Sequence, residues 1–498
     1  MFFALLAVAL AQPPAPLTLH ARTREEAAPN TGRYHAIPKD LSFDPKKTAL
    51  VICDMWDRHW CTAATNRVAE LAPRINEVAN AARAKGVLII HCPSDTMDFY
   101  KDHPGRKLAQ AAPKVEPKVP LERWCKLDDK REGMLPIDDA DGGCHGGEKS
   151  YKAWTREHPA IEIKPGDGIT DSEEAYYLMR QRGIENVLVC GVHANMCVLG
   201  RPFSIRQMVK QGMNVVLLRD LTDTMYDPAK SPYVSHFTGT DLVVEHIEKY
   251  WCPSALGSDI VGGKEFRFKE DKRPLVAIVM AEDEYDANKT LPAFALAHLG
   301  RDYRVSLVFQ DAKDPTHLPG IGVLDAADAM ILYVRRKPLQ KDDMEVIKRF
   351  VAAGKPIVAL RTCSHAFAAQ PKAKLKDGAM QWTTFDEEVL GCHYTGHYGK
   401  ELGTTVKVEK VDSPILKSVP ADGFKSTSWL YKSSPLAAGA TVLMTGTAGN
   451  NPPEPVAWTW ERKGGGKVFY TCLGHQDDFK SEAFVGMVKN AVMWSISK

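Results

Sequence analysis

The chain has 498 residues, 44% hydrophobic and 25% charged, with 64 Lys and Arg against 62 Asp and Glu for a formal charge of +2. That length exceeds what one ordinary core organises, so two domains are expected. The near-neutral balance, without a long run of one sign, gives no footing to a nucleic-acid or membrane-surface partner, though a local site could still take an acidic substrate.

The N-terminus reads MFFALLAVALAQ. Phe2 to Leu10 is an apolar run too short to span a bilayer, and Ala9-Leu10-Ala11 offers small residues for cleavage. Residues 1–11 therefore read as a signal peptide, one without a basic residue ahead of its apolar run, and export to a periplasm or the exterior is expected. No later segment is long and apolar enough to cross a membrane. The 11 cysteines are scattered without a CxxC pair, which argues against a disulfide-stapled scaffold and a zinc ribbon. In an exported chain one or two disulfides remain open, with no pairing legible.

From about residue 48, strands alternate with helices. TALVICDM is a strand. A helix over 64–86 carries Val68, Leu71, Ile75, Val78 and Ala82 on one face and stops at Gly86 before the strand VLIIHC. Residues 93–159 are rich in Pro, Gly and charge and show little periodicity, as loops that shape a site do. AIEIK then reads as a strand, a helix rich in SEEAYYLMRQR leads to the strand NVLVCGV, and an amphipathic helix after Cys197 leads to NVVLLRDL. The helix around DLVVEHIEKYW closes the unit. Residues 253–272, polar and Gly-containing, read as a linker.

The pattern restarts with RPLVAIVM, a helix over 287–299, YRVSLVFQ, AMILYVR, the helix DDMEVIKRFVAAG and PIVALR. It turns β-rich in TTVKVEKV, ATVLMTG, PVAWTWER and KVFYTCLG, and ends in the helix EAFVGMVKNAVMWSI. The βαβα order predicts α/β architecture: two three-layer αβα domains, at 45–253 and 272–498, with mainly parallel sheets.

Sites in such sheets lie past the carboxyl ends of strands. Asp54, Lys164 and Cys197 each hold that position. A thiolate attacks a carbonyl carbon, a carboxylate can take the thiol proton and return it to a leaving amine, and an ammonium lowers the thiol pKa. A helix start beside the thiol adds N–H donors for an oxyanion. Singly, each has a plain structural role: a buried filler, a turn cap, a solvated lysine.

Residues 48–251 resemble the isochorismatase-like cysteine hydrolases, which include nicotinamidases and N-carbamoyl amidohydrolases. ALVICDM, the lysine of IEIK, GVHANMCV and the sequel ending NVVLLRD carry the resemblance. It implies a catalytic triad of Asp54, Lys164 and Cys197, and a non-proline cis peptide at Val192–His193 that turns backbone N–H groups toward the oxyanion. Ala194 stands where many members have Thr or Ser. MWDRHWC replaces the usual Gln-containing segment, which makes Trp56, His59 and Trp60 candidates for the pocket wall. Nicotinamidases bind a metal through an Asp-x-His pair after the second strand. HCPSDTMDFYKDHPG has none, and Asp57 and His59 have that spacing elsewhere. No metal or other cofactor is assigned.

Residues 273–498 resemble ThuA-like (trehalose-utilisation) domains, relatives of class I glutamine amidotransferases. The carrying residues are ALRTCSHAF, FDEEVLGCHYTGH and PVAWTW…GGKVFYTCLGHQDDF. The resemblance implies a flavodoxin-like fold, with links to carbohydrate metabolism. Cys363 holds the amidotransferase nucleophile's position, but Arg361, Thr362, Ser364 and His365 are bulky for a nucleophile elbow. His365, His475 and Asp478 (or Asp477) are candidates for a polar ligand site. Trp429, Trp458 and Trp460 could stack on a sugar or merely fill a sheet face. The leading expectation is hydrolysis of a small amide, ureide or carbamoyl C–N bond through a thioester on Cys197. The rival is a carbohydrate-binding or accessory protein acting through the second domain, with a retired hydrolase scaffold. Substrate identity and self-association stay open.

Overall fold

A computed structural model describes residues 15–399 and 402–497; the expected signal peptide lies outside them. The chain forms two compact units. One comprises the chain up to Arg24, Pro38–Pro232 and Gly239–Asp271; the other comprises Glu25–Ile37, Tyr233–Thr238 and Lys272–Lys498. Among the described residues no helix is long and apolar enough to cross a membrane.

The first unit is organised by an eight-stranded sheet. Its strands are β1 (Leu17–Glu26), β2 (Tyr34–Phe43), β3 (Thr48–Cys53), β4 (Leu88–Cys92), β5 (Gly168–Ile169), β6 (Asn186–Val192), β7 (Asn214–Asp223) and β8 (Ser254–Ala255), in the order β2-β1-β8-β7-β6-β3-β4-β5. From β8 to β5 every pairing is parallel. All of β3 and β6 is buried, as strands covered on both faces must be. The helix Thr62–Ala84 buries Val68, Leu71, Ile75, Val78 and Ala82, the face read from its spacing. Fully burying such a side chain is worth about 1.5–3 kcal/mol for the larger ones.

Three features depart from the sequence reading. The hairpin β1–β2 extends the sheet ahead of residue 45. The segment expected as a linker supplies β8, which pairs antiparallel with β1 and parallel with β7. AIEIK is not a strand. The edge position beside β4 is taken by Gly168–Ile169, while the AIEIK backbone turns to side chains: Glu162 N–H donates to Asn76 and Lys164 N–H to Asp167.

The second unit has a nine-stranded sheet. Five parallel strands run in the order Arg304–Phe309, Leu275–Ala281, Ala329–Val334, Ile357–Leu360 and Lys467–Thr471. Four antiparallel strands continue it: Glu454–Glu461, Thr441–Thr447, Thr404–Val408 and Phe424–Ser426. The α/β expectation holds for both units, and the β-rich end of the sequence is this antiparallel extension.

Candidate functional site

The first site is built where β3, β4 and β6 end. Asp54 follows β3 with φ of 47° and donates its backbone N–H to the Cys92 carbonyl at 3.0 Å. Its side chain is fully buried. Oδ1 accepts the Ser94 N–H at 2.7 Å, and Oδ2 lies 3.3 Å from Arg201 Nε. Next to it, β6 approaches so closely that a Cβ on Gly191 would sit 2.0 Å from the Cys53 carbonyl oxygen, and Gly191 has φ of 100°. Only glycine meets both demands. The Val192–His193 peptide that follows is cis.

Cys197 opens the four-residue helix Cys197–Gly200. The residue is buried, at 8% exposure, and its thiol feels both the Asp54 carboxylate and the Arg201 guanidinium. Among the described residues no acceptor takes the Cys197 backbone N–H. Burial pushes the thiol pKa well up and the Asp54 charge pushes it further, while Arg201 opposes both. Burial also raises the Asp54 carboxyl, against Arg201, the Cys197 hydrogen bond and Ser94. The thiol therefore keeps its proton at rest, and Asp54 is the group placed to accept it.

Arg201 is the cation of this site, and the sequence reading missed it. Pro202 disfavours α geometry at the residue before it. The helix after Cys197 breaks there: Arg201 adopts φ of −68° and ψ of 156°, and a second helix begins only at Ile205. The extended turn carries the guanidinium back to Asp54, with Asp95 at 3.6 Å as a second anion. Burial works against its charge, but Asp54 prevails and its pKa is raised. The signal was the Arg-Pro pair immediately after CVLG.

Lys164 is not brought to Asp54 and Cys197. Its Nζ pairs with Glu162 at 2.9 Å on a half-exposed surface. The cause is the displaced strand: Lys164 lies on the loop before β5 rather than at a strand end.

An aromatic wall flanks the site. Trp56 and Trp154 stack at 4.2 Å, His59 lies 5.9 Å from Trp154, and His59 meets His193 edge-on at 5.1 Å. Burial, with Arg67 assisting, holds the His59 pKa down at about 4, so the ring is neutral. Beyond it a cavity of about 530 Å³ is lined by Arg58, His59, Trp60, Glu148 and Tyr151 among others. Trp154 reaches the wall because its loop is anchored. Trp56 and Glu157 form an antiparallel bridge, and the His158 N–H donates to the Met55 carbonyl at 2.6 Å. His91, fully buried, holds Glu157 at 2.8 Å and Asp167 at 3.2 Å. Burial opposes its charge, but the two carboxylates outweigh it and raise its pKa to about 9.

A disulfide joins Cys61, at the start of the long helix, to Cys144 in the loop region, 83 residues apart. With Glu148 these form the one group of three metal-capable donors among the described residues. The closed disulfide leaves no thiolate for a metal there, so the donor set does not fit one. Nearby, Asn195 Nδ2 donates to Asp139 and its Oδ1 accepts the Met225 N–H, tying the same loop to the cysteine turn.

In the second unit, Cys363 is fully buried and its thiol donates to the Leu332 carbonyl at 3.0 Å, with burial raising its pKa to about 12. Among the described residues no base contacts it, and it is a core residue. Asp478 is consumed internally: it accepts from Ser426 and Ser428 hydroxyls and from the Gly474 and His475 N–H groups. It positions the His475 turn rather than a ligand. His475 contacts Thr427 at 3.1 Å, while His365 stacks on Tyr394 at 4.5 Å. Trp458 is core, its indole donating to the Leu390 carbonyl. His365, but neither His475 nor Asp478, lines a cavity of about 560 Å³.

Residues 275–495 match the family described as ThuA, trehalose utilisation, and form a ThuA domain. No curated protein matches the chain. Among solved structures, a ThuA-like protein from Bacteroides uniformis is 15% identical, covering 47% of this chain and 96% of its own, with a TM-score of 0.34. A cysteine hydrolase from Pseudomonas syringae pv. phaseolicola is 17% identical, covering 44% and 92%, with a TM-score of 0.28. An isochorismatase family protein from Burkholderia thailandensis is 16% identical, covering 43% and 94%, with a TM-score of 0.26.

Proposed function

We propose that the first unit is a cysteine hydrolase that cleaves a small amide, ureide or carbamoyl C–N bond. The observation that carries this reading is a buried carboxylate held by one guanidinium, with a buried thiol coupled electrostatically to both. Sγ of Cys197 attacks the carbonyl carbon as its proton passes to Asp54. The tetrahedral oxyanion is met by the Cys197 N–H. Asp54 then protonates the departing nitrogen, leaving a thioester. Water attacks that thioester, giving its proton to Asp54, and the acid leaves as the thiol is restored. Arg201 favours the ionised form of resting Asp54 and holds the carboxyl group in place through the proton transfers, the task the family resemblance assigns to a lysine. The stacked Trp56, Trp154 and His59 favour a flat substrate.

Support for the rival reading, a chain working through a carbohydrate site on the second unit, is thinner. Asp478 is buried and already accepts four hydrogen bonds from the protein, and Trp458 is inaccessible.

The deciding experiment measures release of ammonia or amine from a panel of small amides, N-carbamoyl amino acids and ureides. The wild type should turn over at least one class and yield a hydroxamate when hydroxylamine traps the thioester. Cys197→Ala should fold, by circular dichroism, and turn over none. Equal turnover by the variant would remove the proposal.

A further inference from the structure

The cavity of about 560 Å³ in the second unit is lined by Arg336, Ser364, His365, Asp386, Tyr394 and His397 among others. It lies past the carboxyl ends of Ala329–Val334 and Ile357–Leu360, adjacent parallel strands of the sheet. Open α/β sheets bind ligands there. Its lining cation, Arg336, and its lining acid, Asp386, are not paired with each other. Arg336 has φ of 49°, and its Nη1 makes a long 3.4 Å contact to the Ala369 carbonyl; among the described residues no carboxylate pairs with it. Arg335 is answered by Glu284 at 2.6 Å.

Behind the wall stands a second uncompensated cation. Arg361 is fully buried, and no carboxylate pairs with it among the described residues. Nη1 donates to the Cys472 carbonyl at 3.1 Å; no acceptor of good hydrogen-bond geometry takes Nε or Nη2, and only neighbouring tyrosines, Tyr285 among them, favour its charge. Its Cζ lies 4.1 Å from the Tyr285 ring and 5.1 Å from the Tyr431 ring. Tyr431 in turn contacts the cavity residues Tyr394, at 5.0 Å, and His365, at 5.8 Å. A guanidinium held out of water without an anion is costly unless something nearby answers its charge. The cavity's one lining acid, Asp386, is engaged by the Tyr394 N–H at 3.0 Å, and burial raises its pKa. His365 does not add a charge: burial first, then the surrounding arginines, hold its pKa down to about 3.

We propose that this cavity binds a small organic anion through a carboxylate or phosphate group. Arg336, Ser364, His365 and His397 supply the contacts, and Arg361 acts as a positioning charge behind Tyr431. Arginine suits either oxyanion because its planar fork matches both. A neutral hydroxylated ligand would leave both charges unanswered.

Isothermal titration calorimetry tests this on the full chain in the Cys197→Ala background, so that the first unit's chemistry cannot enter the readout. The probes are D-gluconate, inorganic phosphate and D-glucose. At least one anion should bind saturably, with glucose at least about tenfold weaker. Gluconate without phosphate assigns a carboxylate, and phosphate without gluconate assigns a phosphate ligand. Arg336→Gln and Arg361→Gln should each weaken the binding about tenfold or more. If Arg361→Gln does not fold, Arg336→Gln decides. The proposal is overturned if neither anion saturates by about 10 mM, if glucose binds as tightly as the anions, or if Arg336→Gln leaves the affinity unchanged.

Discussion

Each sheet presents a cysteine just past a parallel strand, and the two thiols have opposite surroundings. Cys363 is sealed at 0% exposure and spends its S–H on the Leu332 carbonyl. Cys197 sits beside an ionisable acid and an arginine that both address its proton. Burial raises both thiols, so burial alone does not separate a nucleophile from filler. The difference is the carboxylate and guanidinium that act on Cys197, groups whose counterparts Cys363 lacks among the described residues. Strand-end position is what the two share, and it is the weaker signal.

The sharpest test of that contrast is paired substitution. Cys197→Ser should lower turnover by about a thousandfold or more, whereas Cys363→Ala should leave it within about twofold. Iodoacetamide labelling followed by peptide mass spectrometry should find Cys197 modified in the native protein and Cys363 protected. Equal labelling would erase the distinction.

Next in size is the choice of cation. Arg201→Gln should cost about a hundredfold in kcat/KM or more, while Lys164→Ala should stay within about twofold. The sign with pH follows from Asp54, whose carboxyl is raised by burial and brought back by Arg201. Activity needs the carboxylate, so the rate climbs as pH rises through its pKa. Without Arg201 that acid limb should move to higher pH. A Lys164→Ala enzyme with the larger defect would return the role to the lysine.

The disulfide offers a smaller handle. Closing an 83-residue loop is worth up to about 4.5 kcal/mol in the chain-entropy account. Cys144→Ser should therefore lower the Tm of the first unit's transition while leaving the second unit's unchanged. Smallest is the imidazolium of His91. Its folded pKa, about 9, lies above the unfolded value of about 6.5. Its stabilisation, on the order of 3 kcal/mol, is full below the unfolded pKa and lost as pH rises through the folded one. His91→Gln should flatten the fall in denaturation midpoint between those limits.

Much of this architecture was legible because the central strands are short, wholly apolar runs and the long helix keeps one clean face. Asp54 and Cys197 were readable for the same reason: each follows such a run directly. Lys164 misled because AIEIK alternates as a strand should, yet two residues, Gly168 and Ile169, occupy the sheet edge instead. Their signal is too short for periodicity to register. Arg201 was hidden inside what looked like one amphipathic helix, although Pro202 marked its break. Trp154 and Cys144 lie in a long aperiodic stretch where only tertiary contacts place a side chain. The strands at 17–43 went unread because their exposed, charged positions blur the alternation.

Cys197 and Arg201, the proposed nucleophile and its guanidinium, are four residues apart, the arginine capping the short helix that the cysteine opens. In the family pattern the cation arrives from a separate loop. On the proposed mechanism a single short cassette, CVLGRP, delivers both here, and the loop at 160–167 has no part in the reaction. Substitutions on that loop's surface are then expected to leave turnover unchanged. Conversely, one inserted residue between Leu199 and Pro202 would separate nucleophile from counter-charge in a single step.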